Sequence, residues 1–137
     1  MKPPSGGSPA MFQIIPSRLA EADSLCLKIR ALLQSNTRRQ ARFVVELLAR
    51  ECLCNAVLHG NQQDDRKSVC LRLWIGRDWI RLQVSDEGHG FAWRRKRCKP
   101  SDPARPFGRG LQLCALYARR VRFNRRGNQI TLWVTKH

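Results

Sequence analysis

The sequence has few acidic residues for its length. Its 137 residues contain 10 Asp and Glu but 26 Lys and Arg, which gives a formal net charge of +16 at pH 7. Such an excess of positive charge favours anionic partners such as nucleic acid, phosphate-bearing ligands or an acidic protein. Charge alone says nothing about the fold, so these three classes of partner stay open at this point.

The sequence also lacks long apolar runs. No stretch approaches the ~20 apolar residues of a membrane-spanning helix, so we expect no membrane segment. Residues 1–10 are rich in Pro, Gly and Ser and have no apolar core of the kind that a secretory signal requires. We therefore expect a flexible leader over residues 1–10, one domain over residues 11–137, and a cytoplasmic protein.

Cysteine is present, but not in the spacing that binds metals. The 6 cysteines include no Cys-x-x-Cys pair, which is the usual spacing of zinc and redox sites. Cys52 and Cys54 lie two positions apart in a predicted helix, so their side chains point about 200° apart. We expect free thiols in a reducing compartment rather than a zinc site.

The hydrophobic pattern predicts a mixture of helices and strands. Apolar alternation and turn residues predict strands over residues 11–15, 68–75, 79–84, 121–124 and 129–134. Helices are predicted over residues 17–34, capped by Ser17, over residues 37–60, opened by a capping box at Thr37, and over residues 111–119. A long loop is expected between residues 91 and 107. This order predicts an α/β fold, a two-layer sandwich in which a mostly antiparallel sheet packs under about three helices.

The second predicted helix carries two polar residues on an apolar stripe. Val44, Leu48, Glu51, Asn55 and Leu58 follow one another at helical spacing. Burial of a carboxylate and an amide without partners is unfavourable, and hydrated Mg²⁺ prefers such oxygen ligands. Asn55 could bind the ion directly, while Glu51 could hold a water or accept a proton. The alternative is that both side chains lie solvated at the rim of the helix face.

Two glycine-rich turns follow this helix. Asp86, Gly88 and Gly90 come directly after a predicted strand, where glycine lets a ligand approach the backbone. Gly108 and Gly110 open the third predicted helix, and a glycine-rich turn at a helix N-terminus suits phosphate. Each turn alone is common in proteins. Their occurrence in this order after Glu51 and Asn55 is much more specific.

These three segments resemble the motifs of the GHKL ATPase superfamily, which includes gyrase and histidine kinases. Residues 51–60 (ECLCNAVLHG) are similar to its N box, residues 86–91 (DEGHGF) to its G1 box, and residues 108–111 (GRGL) to its G2 box. The short chain and the ending NAVLHG resemble the anti-sigma-factor serine kinases of bacterial partner-switching systems. The similarity covers about residues 12–135 and implies a Bergerat-type ATP-binding fold.

The resemblance implies a role for each motif residue. Asn55 is expected to coordinate the Mg²⁺ bound to ATP, and Glu51 to act as the catalytic general base. Asp86 is expected to accept a hydrogen bond from the adenine amino group, while Gly88 and Gly90 let the nucleotide lie against the backbone. The further contacts with ATP are expected from Gly108, Gly110, Leu111 and Thr131.

An arginine beside the G2 box is also expected to meet the γ-phosphate. Arg105 precedes Gly108 by three residues and Arg109 lies between the two glycines, so the resemblance fits either residue. The expected lid, residues 94–107, is basic, which suits phosphate contacts, a solvated loop or docking of an acidic partner.

The implied activity is that of an ATP-dependent serine/threonine protein kinase. Its expected substrate is a small anti-anti-sigma protein of the STAS type, and phosphorylation is expected to free the kinase for a sigma factor or a similar regulator. Relatives of this branch are commonly dimers, so a homodimer is one option. Two other functions stay open: an ATP-dependent module that sequesters a partner without phosphoryl transfer, and a nucleic-acid-binding protein. The last is placed lowest because no helix-turn-helix, zinc finger or RNA-binding aromatic signature occurs.

Overall fold

The computed structural model describes residues 7–90 and 107–137, with the backbone alone for residues 107–111. Its strands are β1 (Met11–Pro16), β2 (Ser68–Ile75), β3 (Trp79–Ser85), β4 (Arg120–Phe123) and β5 (Gln129–Thr135). Its helices are α1 (Leu19–Leu33), α2 (Arg39–Asn55) and α3 (Phe107–Tyr117), and a π-helical turn (Ala56–Gly60) continues α2.

The five strands form one sheet in the order β1-β2-β3-β5-β4. Every pair of neighbouring strands is antiparallel. Side chains alternate between the two faces of a strand, and Leu73, Leu82 and Leu132, which pair across the sheet, all point to the helices. The predicted two-layer α/β sandwich with an antiparallel sheet is confirmed.

Helix α2 lies at the centre of the helical layer. It contacts α1 on one side, α3 on the other, and β3 and β5 beneath it. Leu48 and Leu53 of α2 are fully buried, as are Ile29 of α1 and Leu71 of β2. Burial of one such side chain contributes about 1.5–3 kcal/mol. This packing fixes the C-terminal end of α2 relative to the ends of β3 and β5.

The predicted helix caps are wrong. The N-cap positions are Arg18 and Arg38, and neither side chain caps its helix. The Ser17 and Thr37 hydroxyls are instead buried without a hydrogen-bond partner in the described part of the chain. Each helix begins one residue later than its predicted cap requires, so the hydroxyl lies too far from the free N–H groups of the first turn.

The segment before β1 is described only from residue 7. Residues 1–6 lie outside the described residues, so the flexible leader stays a prediction, while the Ala10 N–H donates to the Leu73 carbonyl at 2.8 Å and extends the pairing of β1 with β2. Among the helices of residues 7–90 and 107–137, none is both long and apolar enough to cross a membrane.

Candidate functional site

A cavity of about 160 Å³ lies at the C-terminal end of α2. Asn55 and Gly60 line it from the helical side, and Asp86 and Gly90 line it from the segment after β3. The turn between β4 and β5 and the start of β5, residues 127–130, complete the wall. The fold therefore brings together residues from the predicted N and G1 boxes, which are separated in sequence by β2 and β3.

Glu51 and Asn55 lie at the edge of the buried face of α2. The buried residues of this helix are Ala41, Val45, Leu48, Ala49, Cys52 and Leu53. Only Leu48 of the predicted stripe belongs to that set, whereas Glu51 and Asn55 are half-buried. The expectation that both polar residues are enclosed in an apolar face is wrong, because the buried face is centred about one residue further along the helix.

Within residues 7–90 and 112–137, neither of these two side chains is engaged in a hydrogen bond. Neither the Asn55 carboxamide nor the Glu51 carboxylate is hydrogen-bonded to a residue of the described ranges. Asn55 lines the cavity, and Glu51 lies one helical turn before it on the same side of α2. The helix thus places an amide oxygen in the cavity wall and a carboxylate one turn before it.

The π-helical turn packs Gly60 directly against the segment after β3. A Cβ atom on Gly60 would overlap the Asp86 carboxylate, and one on Gly88 would overlap the Gly60 carbonyl. The Gly88 N–H donates to Asp86 Oδ1 at 2.8 Å. Neither glycine has room for a side chain, and this close packing holds the Asp86 carboxylate at the cavity wall. Gly60, the last residue of the N-box match, is a site residue that the sequence analysis did not assign.

Gly90 also lies very close to another part of the backbone. Its φ of 84° lies in the left-handed region, and a Cβ atom there would overlap the Arg126 carbonyl. The groups that come close to Gly88 and Gly90 in the structure are therefore protein carbonyls. Contact of these two glycines with a nucleotide stays a prediction.

Asp86 is half-buried, and this burial changes the pKa of its carboxyl. Burial raises the pKa of its carboxyl above the ordinary value, while the Gly88 N–H and the positive charge of Lys67 act in the opposite direction. A carboxylate that has lost part of its hydration gains more than an exposed one from a new hydrogen-bond donor. Such a group suits recognition of an amino group on a ligand in the cavity.

Two asparagines that the sequence analysis left unassigned hold this segment in place. The Asp86 N–H donates to the Asn128 carbonyl at 2.9 Å, and Asn128 Nδ2 donates to the Asp86 carbonyl at 3.1 Å. Asn61 is fully buried; its Oδ1 accepts from the Glu87 N–H at 2.8 Å, and its Nδ2 donates to the Ser68 carbonyl at 2.9 Å. The position of Asn61 directly after the N box was the sequence signal for it.

Thr131 faces away from the cavity, so the structure does not place it where the predicted contact with a nucleotide in that cavity would be made. Ile130 lines the cavity, so the alternation of β5 turns Thr131 to the other face of the sheet. There its hydroxyl accepts a hydrogen bond from Gln83 Nε2 at 3.2 Å. A shift of one residue along a strand exchanges the two faces, and Asn128, Gln129 and Ile130 occupy the cavity wall instead.

Helix α3 places the predicted G2 box beside α2. Gly108 and Gly110 lie in its first turn, and its Cys114 contacts Cys52 of the cavity lining, with the two sulfur atoms 3.8 Å apart. The hydrogen bond with Cys114 and burial raise the pKa of the Cys52 thiol well above its ordinary value. The Cys52 thiol therefore stays neutral, and its contact with Cys114 packs α3 onto α2.

The structure does not describe the side chains of the other residues predicted in or beside the G2 box. Arg105 and the side chains of Arg109 and Leu111 lie outside the described residues. Contact of Gly108 and Gly110 with phosphate stays a prediction, as does the choice between the two arginines.

Comparison with known proteins gives the family. No curated protein matches the chain. The family described as histidine kinase-like ATPase domain matches residues 15–136. This range begins in β1 and ends just after β5, so it contains the whole helical layer and every residue of the cavity wall. The chain therefore belongs to the histidine kinase-like ATPase domain family, whose fold binds ATP.

Proposed function

We propose that this chain is a Mg²⁺- and ATP-dependent serine/threonine protein kinase that acts as an anti-sigma regulator in a bacterial partner-switching system. Its substrate is a serine or threonine of a small anti-anti-sigma protein of the STAS type. The observation that carries the proposal is that Asn55, which lines the cavity, and Glu51, one helical turn before it, have no hydrogen-bond partner among the described residues.

The residues around the cavity fit Mg²⁺ and ATP. Mg²⁺ is commonly held by one or two protein oxygen atoms together with substrate phosphates and waters, so the Asn55 oxygen, which has no partner among the described residues, is a sufficient protein ligand. The partly desolvated Asp86 carboxylate offers an acceptor for the adenine amino group. When bound, Mg²⁺ neutralises phosphate charge and orients the phosphates.

Glu51 supplies the remaining chemistry. Phosphoryl transfer depends mostly on positioning and on charge neutralisation, with a residue that accepts the proton of the attacking hydroxyl. The Glu51 carboxylate is half-buried and has no hydrogen-bond partner among the described residues. It accepts the proton of the serine or threonine hydroxyl as the hydroxyl oxygen bonds to the γ-phosphorus, and ADP is the leaving group.

The charge of the chain supports a protein substrate of opposite sign. A net charge of +16 steers acidic proteins toward the chain and raises their association rate. Transfer to such a partner also separates the proposal from a pure binding module. A module that only sequesters its partner needs the ATP cavity but has no use for a free carboxylate at the position of Glu51.

A transfer assay with [γ-³²P]ATP tests the proposal. The purified chain is incubated with Mg²⁺, labelled ATP and each STAS-type protein of its own organism, and the labelled products are hydrolysed for phosphoamino-acid analysis. Phosphoserine or phosphothreonine on one of these proteins supports the kinase. Binding of ATP without label on any of them supports the binding module and overturns the kinase proposal.

A further inference from the structure

The face of the sheet opposite the helices is basic and aromatic. The register places Arg72 beside Gln83, Thr131 and Arg122 in one row across the sheet. The next row contains Trp74, Arg81, Trp133 and Arg120. We call this surface the open face; it is defined by Arg72, Trp74, Arg81, Arg120, Arg122 and Trp133.

Three of the four arginines of the open face are stacked on aromatic rings. The Arg81 guanidinium carbon lies 3.8 Å from the centre of the Trp74 ring, and that of Arg120 lies 5.0 Å from the centre of the Trp133 ring. Arg72 is stacked in the same way on Phe12 at 4.8 Å. These separations are typical of cation–π pairs. Because the rings hold the guanidinium groups, less side-chain entropy is lost when these arginines bind a ligand.

The positive charge of the open face has no internal counter-charge in the described part of the chain. None of its four arginines lies within ion-pair distance of a described carboxylate; the ion pairs of the described residues join other groups. Arg81 Nε and Trp133 Nε1 are buried donors without a hydrogen-bond partner among these residues. Burial also lowers the pKa of Arg81. Since no described carboxylate balances the four arginines, a ligand that brings negative charge to this face is favoured.

We propose that the open face binds single-stranded nucleic acid. A groove of about 530 Å³ extends over it and reaches Asn124, Arg125 and Gln129 at one end. Proteins bind single strands with a positively charged groove that follows the phosphates, together with planar side chains on which bases stack. The guanidinium groups held on Trp74 and Trp133 supply both features, since a guanidinium is charged and its plane can stack on a base. The amides of Gln83 and Gln129 can meet base edges.

The composition of the groove favours nucleic acid over an acidic peptide. Peptides usually add a strand at a sheet edge or place side chains in apolar pockets. The groove lies on the face of the sheet, and polar residues line its floor, with Gln83 hydrogen-bonded to Thr131 at 3.2 Å. Sequence order hides this arrangement, because the four arginines belong to β2, β3 and β4 and only the strand register brings them together.

Binding at the open face is separable from the proposed kinase activity. The proposed ATP cavity lies on the helical side of the sheet, where Ile130 lines it, while Thr131 lies in the groove on the other side. Phe123 and Gln129 line both, whereas Arg72 and Arg122 line the groove alone. A variant of the open face can therefore be checked for unchanged ATP binding, which also shows that it is folded.

Fluorescence anisotropy with a labelled oligothymidylate of about 20 nucleotides tests the inference, because one OB-type groove covers about 4–16 nucleotides. The full chain, Arg122→Glu and a control, Lys28→Glu, are titrated at several salt concentrations. Arg122 lies exposed on the open face and Lys28 lies exposed on α1, and both substitutions change the net charge equally. Arg122→Glu should weaken binding about tenfold and reduce the salt slope by about 1, while Lys28→Glu should weaken binding less than about twofold.

A second substitution and a second readout sharpen the test. Arg72→Gln removes one stacked guanidinium with a smaller change of charge and should also weaken binding. Bound bases should quench the fluorescence of Trp74 and Trp133. Equal weakening by Lys28→Glu, absence of binding at low salt, or polyglutamate that competes as well as the oligonucleotide would each overturn the inference, the last in favour of an acidic protein partner.

Discussion

Asn128 and Asp86 are joined by a reciprocal pair of hydrogen bonds at the cavity wall. The Asp86 N–H donates to the Asn128 carbonyl at 2.9 Å, and the Asn128 side chain donates to the Asp86 carbonyl at 3.1 Å. The second bond joins the turn before β5 to the segment after β3 through a side chain. The position of the Asp86 carboxylate in the cavity therefore depends on a residue outside the three motifs.

Asn128→Ala should weaken ATP binding, and Thr131→Val should not. Removal of the Asn128 side chain frees the Asp86 segment, which we expect to lower ATP affinity about fivefold to tenfold, since one neutral hydrogen bond contributes ~1 kcal/mol. Thr131 lies on the other face of the sheet, so its substitution should leave the affinity unchanged. Calorimetric titration with Mg·ATP measures both. A large loss with Thr131→Val would show that β5 carries a nucleotide contact that the structure does not place there.

Asp86→Asn should lower ATP affinity and at the same time stabilise the free protein at neutral pH. An amide cannot provide a charged acceptor for the adenine amino group, and a hydrogen bond to a charged group is worth ~1.5–3 kcal/mol, or about 10- to 100-fold in affinity. The stabilisation arises because burial raises the pKa of Asp86, so the folded state disfavours the charged form that exists at pH 7.

The pH dependence of that stabilisation is a separate check. A carboxyl with a raised folded-state pKa binds its proton more tightly in the folded protein. The contribution of Asp86 to stability is therefore present below its unfolded-state pKa, about 3.9, and is lost as the pH rises through the folded-state value. The melting temperature of Asp86→Asn minus that of the wild type should increase from about pH 4 upward and then level off. A difference that stays constant over this range would contradict the raised pKa.

The sequence predicted the fold better than it predicted the environment of individual site residues. Alternation in β2 and β3 is strong because Leu71, Leu73, Ile80 and Leu82 all face the helices, so the sheet could be derived from pattern alone. The buried face of α2 could not be placed to within one residue, because Val44 and Leu58 are apolar but only half-buried. Asn55 lines the cavity and Glu51 lies one helical turn before it, but both are half-buried, so the expectation that they are enclosed in an apolar face was wrong.

Residues whose role depends on tertiary contacts could not be predicted. The position of Thr131 depends on the phase of a strand, where one residue decides the face. Gly60, Asn61 and Asn128 act by contacts with segments far away in sequence. The open face could not be predicted for the same reason, since only the strand register of the assembled sheet brings its residues into rows.

Gly90→Ala should destabilise the protein more than Gly7→Ala. Both glycines have a positive φ, 84° and 89°, and left-handed backbone costs an alanine about 1–2 kcal/mol. At Gly90 a Cβ atom would also overlap the Arg126 carbonyl, whereas at Gly7 it would meet nothing within 4 Å. Chemical denaturation should show a loss of about 1 kcal/mol at Gly7 and at least about 3 kcal/mol at Gly90. Equal losses of stability in the two variants would mean that the turn between β4 and β5 can move to accommodate the Cβ atom without strain.

Glu51→Gln should separate ATP binding from phosphoryl transfer. The amide keeps the size of the side chain but cannot accept a proton, and loss of a general base typically lowers the rate by about 10²–10⁴-fold. ATP affinity should stay within about threefold of the wild type, because Asn55 rather than Glu51 meets the metal in the proposed site.

The matched control for that experiment lies on the same helix. Glu46 is paired with Arg30 at 3.2 Å, away from the cavity, and Glu46→Gln should transfer phosphate at the normal rate. Single-turnover transfer from [γ-³²P]ATP to the substrate protein measures all three proteins. Normal transfer by Glu51→Gln would remove Glu51 from the mechanism and leave the ATP site intact.

The most direct measurement is the binding of Mg·ATP to Asn55→Ala by isothermal titration calorimetry, beside the wild type and the control Asn36→Ala. Asn36 is exposed in the turn between α1 and α2, so its substitution tests for non-specific loss of an amide. The proposed site predicts saturable binding by the wild type and by Asn36→Ala, and no detectable Mg·ATP binding by Asn55→Ala. Wild-type affinity in Asn55→Ala would contradict the assignment of this cavity as the Mg·ATP site.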